Sequence, residues 1–263
     1  MPVYPKDTAA FFSLHRPGMP FVLPNAWDAA SAVMLHRAGF PAIGTTSLGI
    51  AAGAGVPDGH GHTFERSCAL VQQITKTAPE VLVTCDLENG YSDDPERVAA
   101  LLDGLPVVGV NIEDSTHEQV TDPVVHAAKI AAIKHHRPDL FVNARVDTYW
   151  TGIPDLEETV ARVRRYVDAG ADGIFVPGDL PLATIATIAE ATPVPVNVLA
   201  SSRYSRTDLA GAGVARISTG SLLYRAALTA AVSTAETVRD DTIMPIPDPV
   251  GYRETQALAT SSG

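Results

Sequence analysis

The residues best suited to chemistry are acids at the ends of apolar runs. Asp86 and Glu88 stand two apart in CDLENGY, directly after the run EVLVT, where a buried strand should run out. Carboxylates are rarely buried without a partner, so the pair either faces solvent at a strand end or is held by something positive. The placement recurs. Asn111, Glu113 and Asp114 close VVGVNIED, and Asn143, Arg145 and Asp147 close LFVNARVD. Asn25, Trp27 and Asp28 follow FVLP, Thr45, Thr46 and Ser47 follow FPAIG, and Asn197 and Arg216 belong to the last two apolar runs. Several acids with two arginines are what a Mg²⁺ site for an anionic substrate needs. A hard divalent cation takes oxygen ligands and keeps several waters, and arginine clasps a carboxylate or phosphoryl group through paired N–H groups. Taken singly, each acid has a structural alternative: Glu113 and Asp114 as helix caps, Asp147 as a partner of Arg145, Asp58 in AAGAGVPDGHGH as a turn residue. His60 and His62 of that glycine-rich loop lack a third ligand at zinc spacing.

Elements that could carry these residues follow from periodicity. Eight short apolar runs begin near Phe21, Phe40, Val81, Val107, Leu140, Asp172, Pro195 and Val214, and read as strands. Between them, DPERVAALLDGL, DPVVHAAKIAAIKHHR, DLEETVARVRRYVDAG and LATIATIAEA return apolar residues at helical spacing, three of them opening on an aspartate. Helices in HRAGF, DAGAD and LAGAGV end in glycine, which supplies a left-handed cap. Strand and helix in alternation require parallel pairing through crossovers. The spacing predicts a single (β/α)8 TIM barrel over residues 1–240, with residues 241–263 a tail that is either disordered or packed on a partner subunit. An open doubly wound sheet is the alternative, weakened by the absence of GxGxxG and GxxxxGK[ST].

Composition narrows the class. With 19 basic against 30 acidic residues among 263, the net charge of -11 disfavours a nucleic-acid or anionic-membrane surface. The two cysteines, Cys68 and Cys85, form no CxxC and fit a reduced compartment. No signal-like or membrane-spanning run is present in the sequence, so a cytoplasmic protein is expected.

Five motifs in order, PNAWDAASA, GTTSLGIAAGAGVPD, DLENGY, NIED and NARVD, resemble the signatures of the isocitrate lyase/phosphoenolpyruvate mutase superfamily from about Phe21 to Gly220. The resemblance implies a barrel in homodimers or homotetramers, binding Mg²⁺ (or Mn²⁺) and a small 2-oxo acid or dicarboxylate through its enolate. It implies Asp86 as direct metal ligand, with Asp58, Glu88 and Glu113 holding the ion through water. Thr46 and Ser47 would bind the substrate carboxylate, Arg145 would face the enolate oxygen, and Trp27, with Tyr91 and Asn197, would line the substrate site.

Two departures shape the expected chemistry. NIEDSTHEQVTD has none of the cysteine-bearing KKCGH or KRCGH loop of the lyases, and FVPGD puts Gly178 where many lyases carry a glutamate. Isocitrate cleavage is therefore not expected. A proton donor must come from elsewhere, and His117 has the right titration range, with Glu118 and Tyr91 as further candidates. The expected activity is carbon–carbon cleavage or decarboxylation of a 2-oxo or 2-hydroxy dicarboxylate. The alternatives are P–C cleavage of a phosphonopyruvate-type substrate with Asp58 as nucleophile, and a barrel that binds 2-oxoglutarate without chemistry.

Overall fold

The structure is a computed structural model that describes residues 5–117, 119–152, 154–241 and 249–258. Helix α1 (Pro5–Leu14) precedes a first strand in two pieces, β1 (Phe21–Leu23) and β2 (Asn25–Ala26). Then come α2 (Ala29–Arg37), β3 (Ala42–Thr45), α3 (Ser47–Gly53), α4 (Phe64–Thr77), β4 (Leu82–Asp86), α5 (Pro95–Ala100) and β5 (Gly109–Glu113). A small antiparallel pair follows, β6 (Ser115–Thr116) with β7 (Gln119–Val120), and then α6 (Pro123–His136) and β8 (Phe141–Arg145). The chain continues through α7 (Leu156–Asp168), β9 (Gly173–Phe175), α8 (Leu182–Glu190), β10 (Val196–Leu199), α9 (Arg206–Gly211), β11 (Arg216–Ser218), α10 (Leu222–Arg239) and α11 (Tyr252–Leu258).

The parallel ladder runs β1-β11-β10-β9-β8-β5-β4-β3-β2, so the expected eight staves are all present. Pro24 explains the divided first stave. It has no N–H to donate, yet its carbonyl accepts from Gly44 N at 2.9 Å. β1 therefore pairs with β11 and β2 with β3, and the sheet closes across the break. Asn25 sews the seam: its Oδ1 accepts from the backbone N–H groups of Thr219 (3.1 Å) and Gly220 (2.9 Å). Gly44 is needed beside it, because a Cβ there would lie 2.6 Å from Asn25 Nδ2.

The crossovers form for the reasons legible in sequence. Asp94, Asp122 and Asp155 cap α5, α6 and α7 by accepting from Glu96, Val124 and Glu158 N–H groups. Gly39, Gly170 and Gly213 end α2, α7 and α9 at φ of 90°, 101° and 81°. Val83, Val110, Val142, Ile174 and Val198 face outward onto Ile74, Ile130, Ile133, Val163 and Ile188 of the helical ring, which forms the main core. At the end of the barrel where the strands begin, Phe11 and His15 of the N-terminal segment plug the opening, His15 stacking on Phe141 at 4.1 Å.

The interior above that plug is polar where such barrels are usually filled by branched apolar residues. Arg216, fully buried, reaches across to Asn111 Oδ1 (3.1 Å), which also accepts from Asn143 Nδ2 (2.9 Å). Of the tail expected over 241–263, residues 242–248 and 259–263 lie outside the described residues. α11 packs on α2 of its own chain, with Leu258 in the main core.

Candidate active site

Asp86, Glu113 and Arg145 are the last residues of β4, β5 and β8, and register brings them together: Asp86 pairs with Asn111, and Glu113 with Arg145. They open into a cavity of about 550 Å³ at the C-terminal face, the face where barrels of this kind carry their sites. Thr46, Ser47, Asp58, His60, Asn111, Ser115 and His117 complete its polar wall.

Arg145 is fixed on both sides. Its Nη1 meets Glu113 Oε2 at 2.6 Å and its Nε meets Asp147 Oδ1 at 2.6 Å, while the Trp150 ring lies 5.6 Å from its guanidinium carbon. Asp147 is held in turn by the Ser115 hydroxyl (2.5 Å), and its N–H donates to Asp114 Oδ1 (2.8 Å). Asp114 is anchored on Arg162 (2.9 Å) and the Tyr166 hydroxyl (2.6 Å), so the second acid of NIED supports the site from behind. Burial opposes the charge of Arg145, but Asp147, Glu113 and Asp86 outweigh it and hold the side chain as a cation.

Asp86 accepts two backbone N–H groups, from Ser47 onto Oδ2 and from Glu88 onto Oδ1, each at 3.3 Å. Ser47 N–H, expected for a substrate carboxylate, thus also serves Asp86. Thr46 caps α3, its hydroxyl accepting from Gly49 N–H at 3.4 Å. Burial, then the neighbouring Asp86, pushes Asp58 up to about 6, and its Oδ1 is buried without a partner among the described residues. Burial likewise raises Glu113 against the pull of Arg145, with Asp147, Asp86 and Asp58 adding repulsion.

The structure separates Glu88, Tyr91, Trp27 and Asn197 from the cavity wall and leaves His117 on it. Glu88 turns away at φ 48°, 2% exposed, and accepts from the Thr63 hydroxyl and from Gly61 N–H (3.2 Å). Its carboxylate clips the loop that delivers Asp58. Tyr91 belongs to the same clip, its hydroxyl 3.0 Å from Thr63 Oγ1. Trp27 packs edge-on against Tyr224 at 5.5 Å, and Asn197 lies beneath the floor, accepting from Ser218 Oγ at 3.1 Å. His117 occupies the turn between β6 and β7 at φ 51°, and its ring meets His60 edge-on at 4.7 Å. His60 Nδ1 donates to the Asp58 carbonyl at 2.7 Å. Glu118 lies outside the described residues. The wall also contains Leu48, Trp150, Phe175, Pro177 and Leu199, which a search for polar residues passes over.

Among the described residues, no group of three or more His, Cys, Asp or Glu is placed to ligate a metal ion together. The donor set nevertheless fits a hard cation that keeps most of its waters. Three carboxylates, Asp58, Asp86 and Glu113, line one cavity with Arg145 as its lone lysine or arginine, and Asp58 Oδ1 lacks a donor.

A closed parallel barrel with acids and a fixed arginine at its C-terminal rim defines an α/β-barrel protein of the isocitrate lyase/phosphoenolpyruvate mutase type. The sequence matches the phosphoenolpyruvate phosphomutase family model over residues 11–239, and the chain belongs to that family. An uncharacterized Mycobacterium tuberculosis (strain ATCC 25618 / H37Rv) protein is 46% identical over 249 residues, covering 94% of this chain and 95% of that one. A crystal structure of a protein provisionally named a lyase/mutase, from Burkholderia cenocepacia J2315, superposes with a TM-score of 0.86 at 35% identity, covering 96% of this chain and 95% of that one. The phosphoenolpyruvate phosphomutase of Streptomyces hygroscopicus is 28% identical over 249 residues, 88% of this chain and 79% of that protein. Among the described residues, no helix is long and apolar enough to cross a membrane.

Proposed function

We propose that the cavity is the active site of an enzyme that binds Mg²⁺ with a small 2-oxo or 2-hydroxy acid and stabilises the enolate formed when a bond beside the carbonyl breaks. Carbon–carbon cleavage or decarboxylation is the reaction the site suits best. The observation that carries this reading is Arg145, clamped at 2.6 Å by both Glu113 and Asp147 and open to the cavity. A cation fixed before reaction meets developing negative charge without reorganising, which is where such sites gain most of their rate.

The chain's own groups divide the work. Asp86, with Asp58 and Glu113 through water, would hold the ion, which when bound supplies Lewis-acid polarisation of the substrate oxygens. Ser47 and Asn111 orient the substrate carboxylate at the floor, and Arg145 faces the oxygen on which charge accumulates. His117 can return a proton to the enolate carbon, its ring standing at the mouth beside His60. A second reading, P–C cleavage with Asp58 as nucleophile, is favoured by one specific feature: the unpartnered Asp58 Oδ1. The apolar side chains of Leu228, Val232 and Val238, exposed along α10, support a homodimer or homotetramer.

The test is a turnover screen of oxaloacetate, substituted malates and phosphonopyruvate with Mg²⁺, against Asp86→Asn as control. Release of a 2-oxo acid that is lost in the variant and on chelation supports the reading. Saturable binding of Mg²⁺ and 2-oxo acids with no product from any substrate would overturn catalysis and leave a 2-oxo acid binding protein.

A further inference from the structure

The cavity lining is not uniformly polar. On the β8–β10 side, next to Arg145, Trp150, Phe175, Pro177 and Leu199 make up an apolar wall, and Leu48 stands across the barrel from it beside Ser47. Phe175 and Leu199 end β9 and β10, the same rim position that Arg145 takes on β8, so their side chains are delivered to the cavity as deliberately as the charged ones. Trp150 is 52% exposed at the mouth. Leaving so large an aromatic half in water forgoes burial that a ligand could complete.

Charge points the same way. Arg145 is the single lysine or arginine among the cavity-lining residues and is already paired with two carboxylates. A second cation, Arg216, lies beneath the floor on Asn111 and Ser218, under the polar part of the lining. The cation beside the apolar wall is Arg145 itself, 5.6 Å from the Trp150 ring and 5.9 Å from the Phe175 ring, and with Glu113 and Asp147 already on it a second ligand carboxylate there would lose its hydration with no further lysine or arginine of the lining to meet. A volume of about 550 Å³ falls within the range that encloses whole drug-sized ligands, and a three-carbon 2-oxo acid leaves much of it unfilled.

We infer that the substrate is a 2-oxo or 2-hydroxy acid whose remote substituent is apolar, a branched alkyl or aryl group seated on Trp150, Phe175, Pro177 and Leu199, and not a second carboxylate. This rests on the polar part of the lining being the head-group site proposed above, and it replaces the dicarboxylate expected from sequence with a monoacid carrying an apolar branch.

The experiment measures equilibrium binding by calorimetry, with Mg²⁺ present throughout. Oxalate probes the head-group site alone. Pyruvate, 2-oxobutyrate, 4-methyl-2-oxopentanoate and phenylpyruvate lengthen the apolar arm, and oxaloacetate and 2-oxoglutarate replace it with a carboxylate. Affinity is expected to rise by roughly fourfold per buried methylene along the apolar series, and to exceed that for the dicarboxylate of equal length. Leu199→Ala should weaken 4-methyl-2-oxopentanoate and phenylpyruvate about tenfold and leave oxalate within twofold, whereas Trp150→Ala, which also removes the ring beside Arg145, should weaken the two apolar acids at least fivefold more than it weakens oxalate. If oxalate binds but affinity is flat along the apolar series, or the dicarboxylates bind more tightly, the inference fails while the head-group site stands. If oxalate itself does not bind, the head-group reading falls and this one with it.

Discussion

Arg216→Met tests whether charge in the barrel interior is held for the fold or for the ligand. Arg216 is fully buried with no carboxylate partner among the described residues; burial pushes it down from 12.5 to about 9, with Asp86 only partly opposing. A shift of that size corresponds to about 5 kcal/mol spent on keeping the cation in place. Against it stand two hydrogen bonds, to Ser218 Oγ (3.2 Å) and Asn111 Oδ1 (3.1 Å), worth roughly 1.5 kcal/mol each. Neither acceptor is stranded by the substitution, because Asn111 Oδ1 keeps Asn143 and Ser218 Oγ keeps Asn197. The unpartnered Nη1 disappears with the guanidinium. Methionine fills comparable length without charge, so the variant should be more stable by about 2 kcal/mol, within the 1–4 kcal/mol seen when buried ions give way to apolar residues. For a chain of this size that is a rise in melting temperature of about 4–8 °C. The assay is urea unfolding at pH 7.5 followed by circular dichroism, with calorimetry of oxalate and Mg²⁺ binding on the same protein. The expected result is higher stability with weaker oxalate binding, a trade of stability for function. A variant destabilised by more than 1 kcal/mol would refute the reasoning, since the guanidinium would then be satisfied within the fold.

Arg145→Met leaves Glu113 and Asp147 buried without their cation and should cost about 3–5 kcal/mol at pH 8. Both carboxyls have folded pKa values raised by burial, so they take up protons before the unfolded chain does, and the deficit should shrink as the pH of the unfolding assay is lowered toward 5. His126 on α6, held down to about 3 by burial and by Lys129 and Arg162, has the opposite sign: the unfolded chain binds its proton first, and stability present above pH 6.5 is lost as pH falls toward 3. That loss is about 2 kcal/mol between pH 7 and pH 5, and His126→Phe should remove it from the stability profile. Glu88→Ala strands Gly61 N–H and leaves the Thr63 hydroxyl with Tyr91 alone, so hydrogen exchange across residues 58–63 should accelerate by roughly tenfold or more, with about 2 kcal/mol lost globally; unchanged exchange there would mean that the carboxylate does not clip the loop.

The staves and crossovers were legible because each carries a local signal: an apolar run of strand length, an aspartate cap, a terminal glycine in the left-handed region. The rim acids were legible for a related reason, since a carboxylate directly after an apolar run is conspicuous. What sequence did not convey was direction. Glu88 sits two residues beyond Asp86 in a motif that suggested shared ligation, but its φ of 48° swings the carboxylate behind the wall to Thr63 and Gly61. No propensity marks that turn. The β6–β7 hairpin likewise has no local signal; it is set by two pairs, Ser115 with Val120 and Thr116 with Gln119, and by Asn89 Nδ2 donating to Thr116 Oγ1 at 2.7 Å from a distant loop.

The apolar wall is inconspicuous in the sequence for the converse reason. Phe175 and Leu199 hold the same strand-end position as Arg145, but at the end of an apolar run an apolar residue draws no attention. Position and residue type therefore carry separate information in a parallel barrel. The register decides which side chains face the ligand, and their chemistry decides only what they do there. On the function proposed above, the acids and Arg145 take a head group common to many reactions, so the side of the cavity that would distinguish one substrate from another is the side where the sequence is least conspicuous. Specificity in this chain is to be sought at the ends of β9 and β10 and in the loop that carries Trp150, and substitutions there should alter which acid is bound more than they alter the response to oxalate, least of all at Leu199, which is the one farthest along the chain of staves from Arg145.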